Sequence, residues 1–222
     1  MKRILSILAV VALVAMTVQA VEVKSENVAG VINVSVDAAE YKLIGMSLDD
    51  IETLDPTLAD VLGTDGVPDG TVVYIFNGLG YDPHIYYDGF GWYEGADLST
   101  AVVDRVTGFW VKCPAAHTFS LTGEVPDYDT TMTLGEGYQI VNYPFPAAVA
   151  LTDSVIGTTA ADGDKIYVLD GTDYVPHIYY AGFGWYDGPD LSTLVFNPGD
   201  SFWYQRVGTG EVSFDETVPY TL

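Results

Sequence analysis

The stretch Pro83-His84-Ile85-Tyr86-Tyr87-Asp88-Gly89-Phe90-Gly91-Trp92-Tyr93 occurs twice, returning as Pro176 to Tyr186 with only Asp88 replaced, by Ala181. Widened to Pro83–Thr100 and Pro176–Thr193, fifteen of eighteen positions match at a constant offset of 93. The same offset joins Tyr74 to Tyr167, Phe109-Trp110 to Phe202-Trp203, and Val125-Pro126 to Val218-Pro219. Upstream, Tyr41-Lys42-Leu43-Ile44 corresponds to Tyr138-Gln139-Ile140-Val141 at an offset of 97, so the first copy carries four more residues in between. A self-similarity of this length marks a duplicated domain. Its boundary falls near Pro126, which divides the chain into residues 21–126 and 127–222 behind a leader of residues 1–20.

Within a copy the pattern is that of strands. Ile32, Val34 and Val36 alternate with Asn33, Ser35 and Asp37, as in a strand with one buried face. Val72 to Phe76 and Ile166 to Leu169 are short runs rich in branched and aromatic residues, bounded by Asp-Gly and Asn-Gly turns. The Phe-Trp segments, Phe119 with Leu121, and Val212 with Phe214 supply further strands. A helical turn is expected only over Leu58–Leu62 and, loosely, Leu151–Ile156. The expected fold is all-β: two tandem homologous β-barrel or β-sandwich domains with pseudo-symmetry, six to eight strands each and little helix. Where the second copy has Pro198-Gly199 the first has Arg105-Val106, so the turns there must differ.

The ends and the composition bound the setting. Lys2 and Arg3, an apolar run from Ile4 to Met16, and Val18-Gln19-Ala20 form an export signal, too short to span a bilayer, with cleavage expected after Ala20. The expected destination is secreted, extracellular or at the cell surface, with the periplasm as an alternative. The formal charge of −23, from 8 basic and 31 acidic residues, repels phosphate backbones and anionic lipid. Nucleic acid and membrane surfaces are therefore poor partners, and membrane insertion is not expected because no later segment is long and apolar enough to span. Such an acid excess also keeps an exported β protein soluble. Cys113 stands alone, so no internal disulfide forms.

The lead segment Ser25-Glu26-Asn27-Val28-Ala29-Gly30-Val31-Ile32-Asn33-Val34-Ser35-Val36, followed by Tyr41-Lys42-Leu43-Ile44-Gly45-Met46-Ser47-Leu48, resembles the opening of exported two-repeat proteins of Verrucomicrobia and Kiritimatiella-like bacteria. The strand and Asn-Gly turn over Val73–Gly78, and Leu194-Val195-Phe196-Asn197-Pro198-Gly199-Asp200-Ser201-Phe202-Trp203, extend that resemblance over nearly the whole mature chain. It implies a fold and no particular activity.

No catalytic set accompanies the repeat, and no enzyme is expected. His117 lies four residues after Cys113, but the second copy has Arg206 and Gly210 there. A Cys and His pair is also too small for zinc. With 31 acids, close carboxylate pairs carry no signal for a glycosidase. Thr64-Asp65-Gly66-Val67-Pro68-Asp69-Gly70 faintly resembles a calcium loop but lacks the ligand ladder, leaving incidental calcium as the only cofactor to consider. The repeated stretch is the candidate binding site. On a strand His84 and Tyr86 share one face, and a turn at Gly89-Phe90-Gly91 can bring Trp92 to them. The second copy repeats this with His177, Tyr179 and Trp185. Such a surface suits the apolar faces of sugars; the competing reading is that these rings form the core of a hairpin.

Two functions follow. The first is a non-catalytic structural or self-associating extracellular protein, a filament or surface-layer subunit joined through its terminal segments by edge-strand pairing. The second is a glycan-binding module whose two copies act together on a polysaccharide.

Overall fold

The computed structural model describes residues 28–53, 55–171 and 173–222; the expected export signal over residues 1–20 lies outside them. The first repeat comprises β1 (Ala29–Val36), β2 (Tyr41–Gly45), α1 (Leu58–Leu62), β3 (Val72–Phe76), β4 (Tyr81–Tyr87), β5 (Gly91–Glu94), β6 (Asp97–Leu98), β7 (Gly108–Lys112) and β8 (His117–Glu124). The second comprises β9 (Thr130–Leu134), β10 (Gly137–Asn142), β11 (Val149–Ala150), a 3-10 turn over Leu151–Asp153, α2 (Val155–Thr158), β12 (Lys165–Asp170), β13 (Asp173–Tyr180), β14 (Gly184–Asp187), β15 (Asp190–Leu191), β16 (Val195–Phe196), β17 (Ser201–Arg206) and β18 (Val212–Glu216).

Each repeat builds a six-stranded antiparallel sheet, in the order β2-β7-β3-β4-β5-β6 and β10-β17-β12-β13-β14-β15. The two orders are the same under the sequence offset. One face of each sheet is covered by a two-stranded ribbon, β1 with β8 and β9 with β18, together with the short helical segment. These are sandwiches; among the described residues neither sheet closes into a barrel. Among the described residues the second repeat has ten strands rather than the expected six to eight. Its extra pair is β11 with β16, where the first repeat makes only the bridge Thr57–Val102.

The alternation in β1 is realised as read, with Ile32, Val34 and Val36 inside and their neighbours outside. They pack with Phe119 and Leu121 of β8 against Val73, Phe109 and Val111 of the sheet. In the second repeat Met132 and Leu134 meet Ile166, Phe202 and Tyr204. The helix α1 starts where the Asp60 carboxylate accepts both the backbone N–H and the hydroxyl of Thr57, at 2.8 and 2.7 Å. That arrangement satisfies the helix entrance.

The two repeats meet about a pseudo-twofold joint. The end of β2 pairs with the turn before β17, through the bridge Ile44–Asp200 and the bond Gly45 N–H to Gly199 O at 3.1 Å. The end of β10 pairs with the turn before β7, through Val141–Thr107 and Asn142 N–H to Val106 O at 3.0 Å. These are the same contacts exchanged between copies. The turns differ as the sequence requires: Pro198-Gly199 places Gly199 at φ +81°, whereas Val106 keeps a negative φ. Arg105, freed from that turn type, reaches Asp49 at 2.7 Å and donates to Pro144 O at 3.3 Å. The side chain of Asn142 sits over Gly45 and donates to Arg105 O and Met46 O, at 2.7 and 3.0 Å.

Candidate functional site

The residues expected to form a surface are brought together, but inside. His84, Tyr86, Trp92, His177 and Trp185 are buried and Tyr179 is half-buried against the second core. Tyr86 and Trp92 lie 5.4 Å apart between ring centroids, as do Tyr179 and Trp185, so each pair shares one face of its sheet. It faces the ribbon and helix instead of solvent. Tyr86 donates to Thr64 O at 2.6 Å, Trp92 Nε1 to Gly63 O at 3.0 Å, and Trp185 Nε1 to Gly157 O at 2.7 Å. These bonds tie the sheet to the end of α1 or to α2. Ser99 and Ser192 meet the Nδ1 atoms of His84 and His177 at 2.9 and 2.8 Å. Burial holds both imidazoles below the ordinary histidine range, against the pull of Glu94 and Asp82 on His84 and of Asp187 on His177. With their polar tips engaged and their rings enclosed, these residues present no surface to a sugar.

Because strand side chains alternate, burying His84 and Tyr86 sends Tyr81, Pro83, Ile85 and Tyr87 to the opposite face of β4. Register continues that outer face across the sheet: Phe76 opposite Tyr81, Tyr74 opposite Pro83, Trp110 beside Tyr74, and Leu43 beside Trp110. The second sheet does the same with Leu169, Tyr174, Tyr167, Trp203 and Ile140. Near the joint the two outer faces meet. Leu43, Trp110 and Ile140 form a small separate core there, packed by Tyr74, Phe76, Leu169 and Trp203.

Beside that core runs an aromatic cleft with two halves. The larger, about 690 Å³, is lined by Tyr41, Tyr74, Tyr81 and Trp110 from one sheet and Leu169 and Tyr174 from the other, with Glu40 and Gly171 at its margin. The smaller, about 500 Å³, is lined by Tyr138, Tyr167, Tyr174 and Trp203 facing Phe76 and Tyr81. Exchanging the copies converts one aromatic lining into the other, with Phe76 and Leu169 as the one difference. The ring geometry repeats as well. Tyr41 lies 6.0 Å from Tyr74 and 6.3 Å from Trp110; Tyr138 lies 6.2 Å from Tyr167 and 6.1 Å from Trp203.

Tyr41 and Tyr138 are half exposed, at 50% and 49%. Lys112 Nζ sits 4.6 Å above the Tyr41 ring, a cation–π contact; at the equivalent place Gln205 accepts the Tyr167 hydroxyl at 3.0 Å. Trp203 Nε1 donates to the Tyr174 hydroxyl at 3.2 Å. Burial, with Tyr138 beside it, pushes the Tyr167 phenol up to about 12, and Tyr74 is raised for the same reasons next to Tyr41. These phenols are therefore neutral at physiological pH and able both to donate and to accept. Of the described residues lining the cleft, Glu40 is the one carboxylate.

The other candidates resolve simply. Cys113 is buried and burial pushes its thiol up, while the His117 ring packs on Phe119 at 4.6 Å. In the Asp-Gly loop, Asp69 accepts from Asp88 N–H at 2.9 Å. Among the described residues no group of three or more His, Cys, Asp or Glu side chains is placed to hold a metal ion. No helix of the described residues is long and apolar enough to cross a membrane. Comparison with protein families, curated proteins and solved structures returns no match.

Proposed function

We propose that this is an exported, non-catalytic binding protein that holds an uncharged polysaccharide in the aromatic cleft between its repeats. The observation that carries this reading is the twofold-repeated Tyr-Tyr-Trp lining, in which Tyr41 and Tyr138 stand half open to solvent beside more deeply set tyrosine and tryptophan rings. Ring faces match the apolar faces of pyranoses, and phenol and indole edges supply the directional bonds. The formal charge of −23 disfavours a polyanionic ligand. A two-carboxylate glycosidase mechanism would need a partner for Glu40 within the cleft. Export, and the resemblance to exported two-repeat β proteins, belong to the same proposal.

A self-associating structural role stands second. Its expected contacts were the terminal segments, yet β1 pairs over its whole length with β8, and the Tyr220 hydroxyl donates to Pro126 O at 2.8 Å. Those contacts engage one edge of β1 and the C-terminal Tyr220 within the chain itself. A glycan array tests the first reading: selective retention of neutral oligosaccharides supports it, and a blank array on protein of verified fold counts against it.

A further inference from the structure

Identity between the copies reaches positions that packing does not require. Some core residues are kept, as Trp92 and Trp185 are, but others have diverged, Val73 against Ile166 and Val111 against Tyr204. The outer face of the hairpin β4–β5 has not. Tyr87, Phe90 and Tyr93 recur as Tyr180, Phe183 and Tyr186. Gly89 at φ +73° and Gly91 at φ +100° flank Phe90 and turn it outward, and Gly182 and Gly184 do the same for Phe183. The two phenylalanines are 73% and 75% exposed. Beside them Tyr87 and Tyr93 meet edge to face at 5.7 Å, and Tyr180 and Tyr186 at 5.6 Å, both at 75°. The one difference in the stretch, Asp88 for Ala181, falls where only the backbone is used: Asp88 N–H donates to Asp69 and Ala181 N–H to Asp162, each at 2.9 Å.

We propose that these two hairpin faces are a second pair of binding sites, one per repeat, for an uncharged polysaccharide. This rests on the ligand class assigned above but not on the cleft. Large exposed aromatic patches mark interaction surfaces, and the charge around these selects the partner. Glu94 and Asp97 flank the first hairpin, and Asp187 and Asp190 the second. A second copy of the chain would set these carboxylates against their own kind, and anionic lipid or nucleic acid would be repelled. A neutral polymer meets neither penalty. Two identical sites on one chain also fit a ligand that repeats the same unit, since a chain bound at one site reaches the other at high effective concentration.

The test is co-sedimentation of the full mature chain with microcrystalline cellulose, chitin and insoluble xylan, alongside titration with soluble cello-, chito- and xylo-oligosaccharides. Phe90→Ser with Phe183→Ser removes two solvent-exposed rings, and circular dichroism verifies the fold. The double variant is expected to lose about tenfold or more in binding to the retained polymer, each single variant less, with soluble oligosaccharide binding unchanged. Equal retention of variant and wild type overturns the hairpin sites and leaves the cleft standing. Polymer binding that falls in the hairpin variant, with no oligosaccharide binding by the wild type, supports the hairpins and fails the cleft. Wild-type protein that binds none of these polymers overturns the proposal. If it then sediments as an oligomer that the double variant converts to monomer, the occupant is a second copy.

Discussion

Phe76 of the first sheet meets Trp203 of the second with ring centroids 4.9 Å apart and planes at 73°, whereas the residue equivalent to Phe76, opposite Trp110, is Leu169. This departure from the pseudo-twofold, with Lys112 in the place of Gln205 and Glu40 lining one half only, makes the halves of the cleft unequal. Phe76 sets an aromatic ring against Trp203, where Trp110 faces the smaller Leu169.

Leu169→Phe should therefore narrow the larger half. We expect weaker oligosaccharide binding there, by about 1 kcal/mol, the scale of one aromatic contact. Phe76→Leu should open the smaller half and bring the two sites toward equal affinity. Calorimetric titration with each variant reads both changes.

The joint offers a second test. A Cβ on Gly108 would come within 2.5 Å of Ile140 and 2.7 Å of Ser201, and one on Gly45 would collide with Asn142. Gly108→Ala is expected to cost about 1–3 kcal/mol, as overpacking usually does. Asn142→Ala leaves the Arg105 and Met46 carbonyls without their donor and should cost a similar amount. Urea denaturation measures both.

Acidification should act through the two buried histidines. Their folded pKa values lie below the ordinary one because burial disfavours the cation. The unfolded chain consequently takes up protons first as the pH falls below about 6.5. Their contribution to stability is complete above that pH and is lost as the pH falls toward the folded values. Glu216 works in the opposite direction, since burial raises it despite bonds from Val155 and Ile156 N–H and Tyr143. It titrates in every variant and so cancels in comparison. We expect His84→Gln with His177→Gln to be less stable at pH 8, yet to show a shallower fall in Tm between pH 7 and pH 5.

The strands, the duplication and the short helices were legible because they rest on local alternation, turn residues and a fixed offset. What could not be read was which face of the sheet each repeat buries. His84 and Tyr86 against Tyr81 and Tyr87 is a choice between two faces of similar aromatic character, and period-two alternation leaves it open. The partners that decide it, the ribbon β1–β8 and the carbonyls of Gly63 and Thr64, are distant in sequence. Tyr41, Tyr74 and Trp110 were visible as repeated residues, but their convergence with Leu169 and Tyr174 depends on the joint, which local pattern does not encode. The assignment can itself be checked. Trp92→Ala or Trp185→Ala removes a buried ring and should cost about 3–5 kcal/mol of stability, whereas Asp88→Ala should stay within about 0.5 kcal/mol.

The central claim is that the cleft binds a neutral glycan through its paired, half-open tyrosines. Tyr41→Ala with Tyr138→Ala alters one such residue in each half of the cleft and leaves both main cores untouched. The decisive measurement is calorimetric titration of wild type and this double variant with the best oligosaccharide from the array. We expect the fold and Tm to be nearly preserved and the affinity to drop by about tenfold or more, equivalent to roughly 1.4 kcal/mol. Undiminished affinity in a folded double variant would contradict the account.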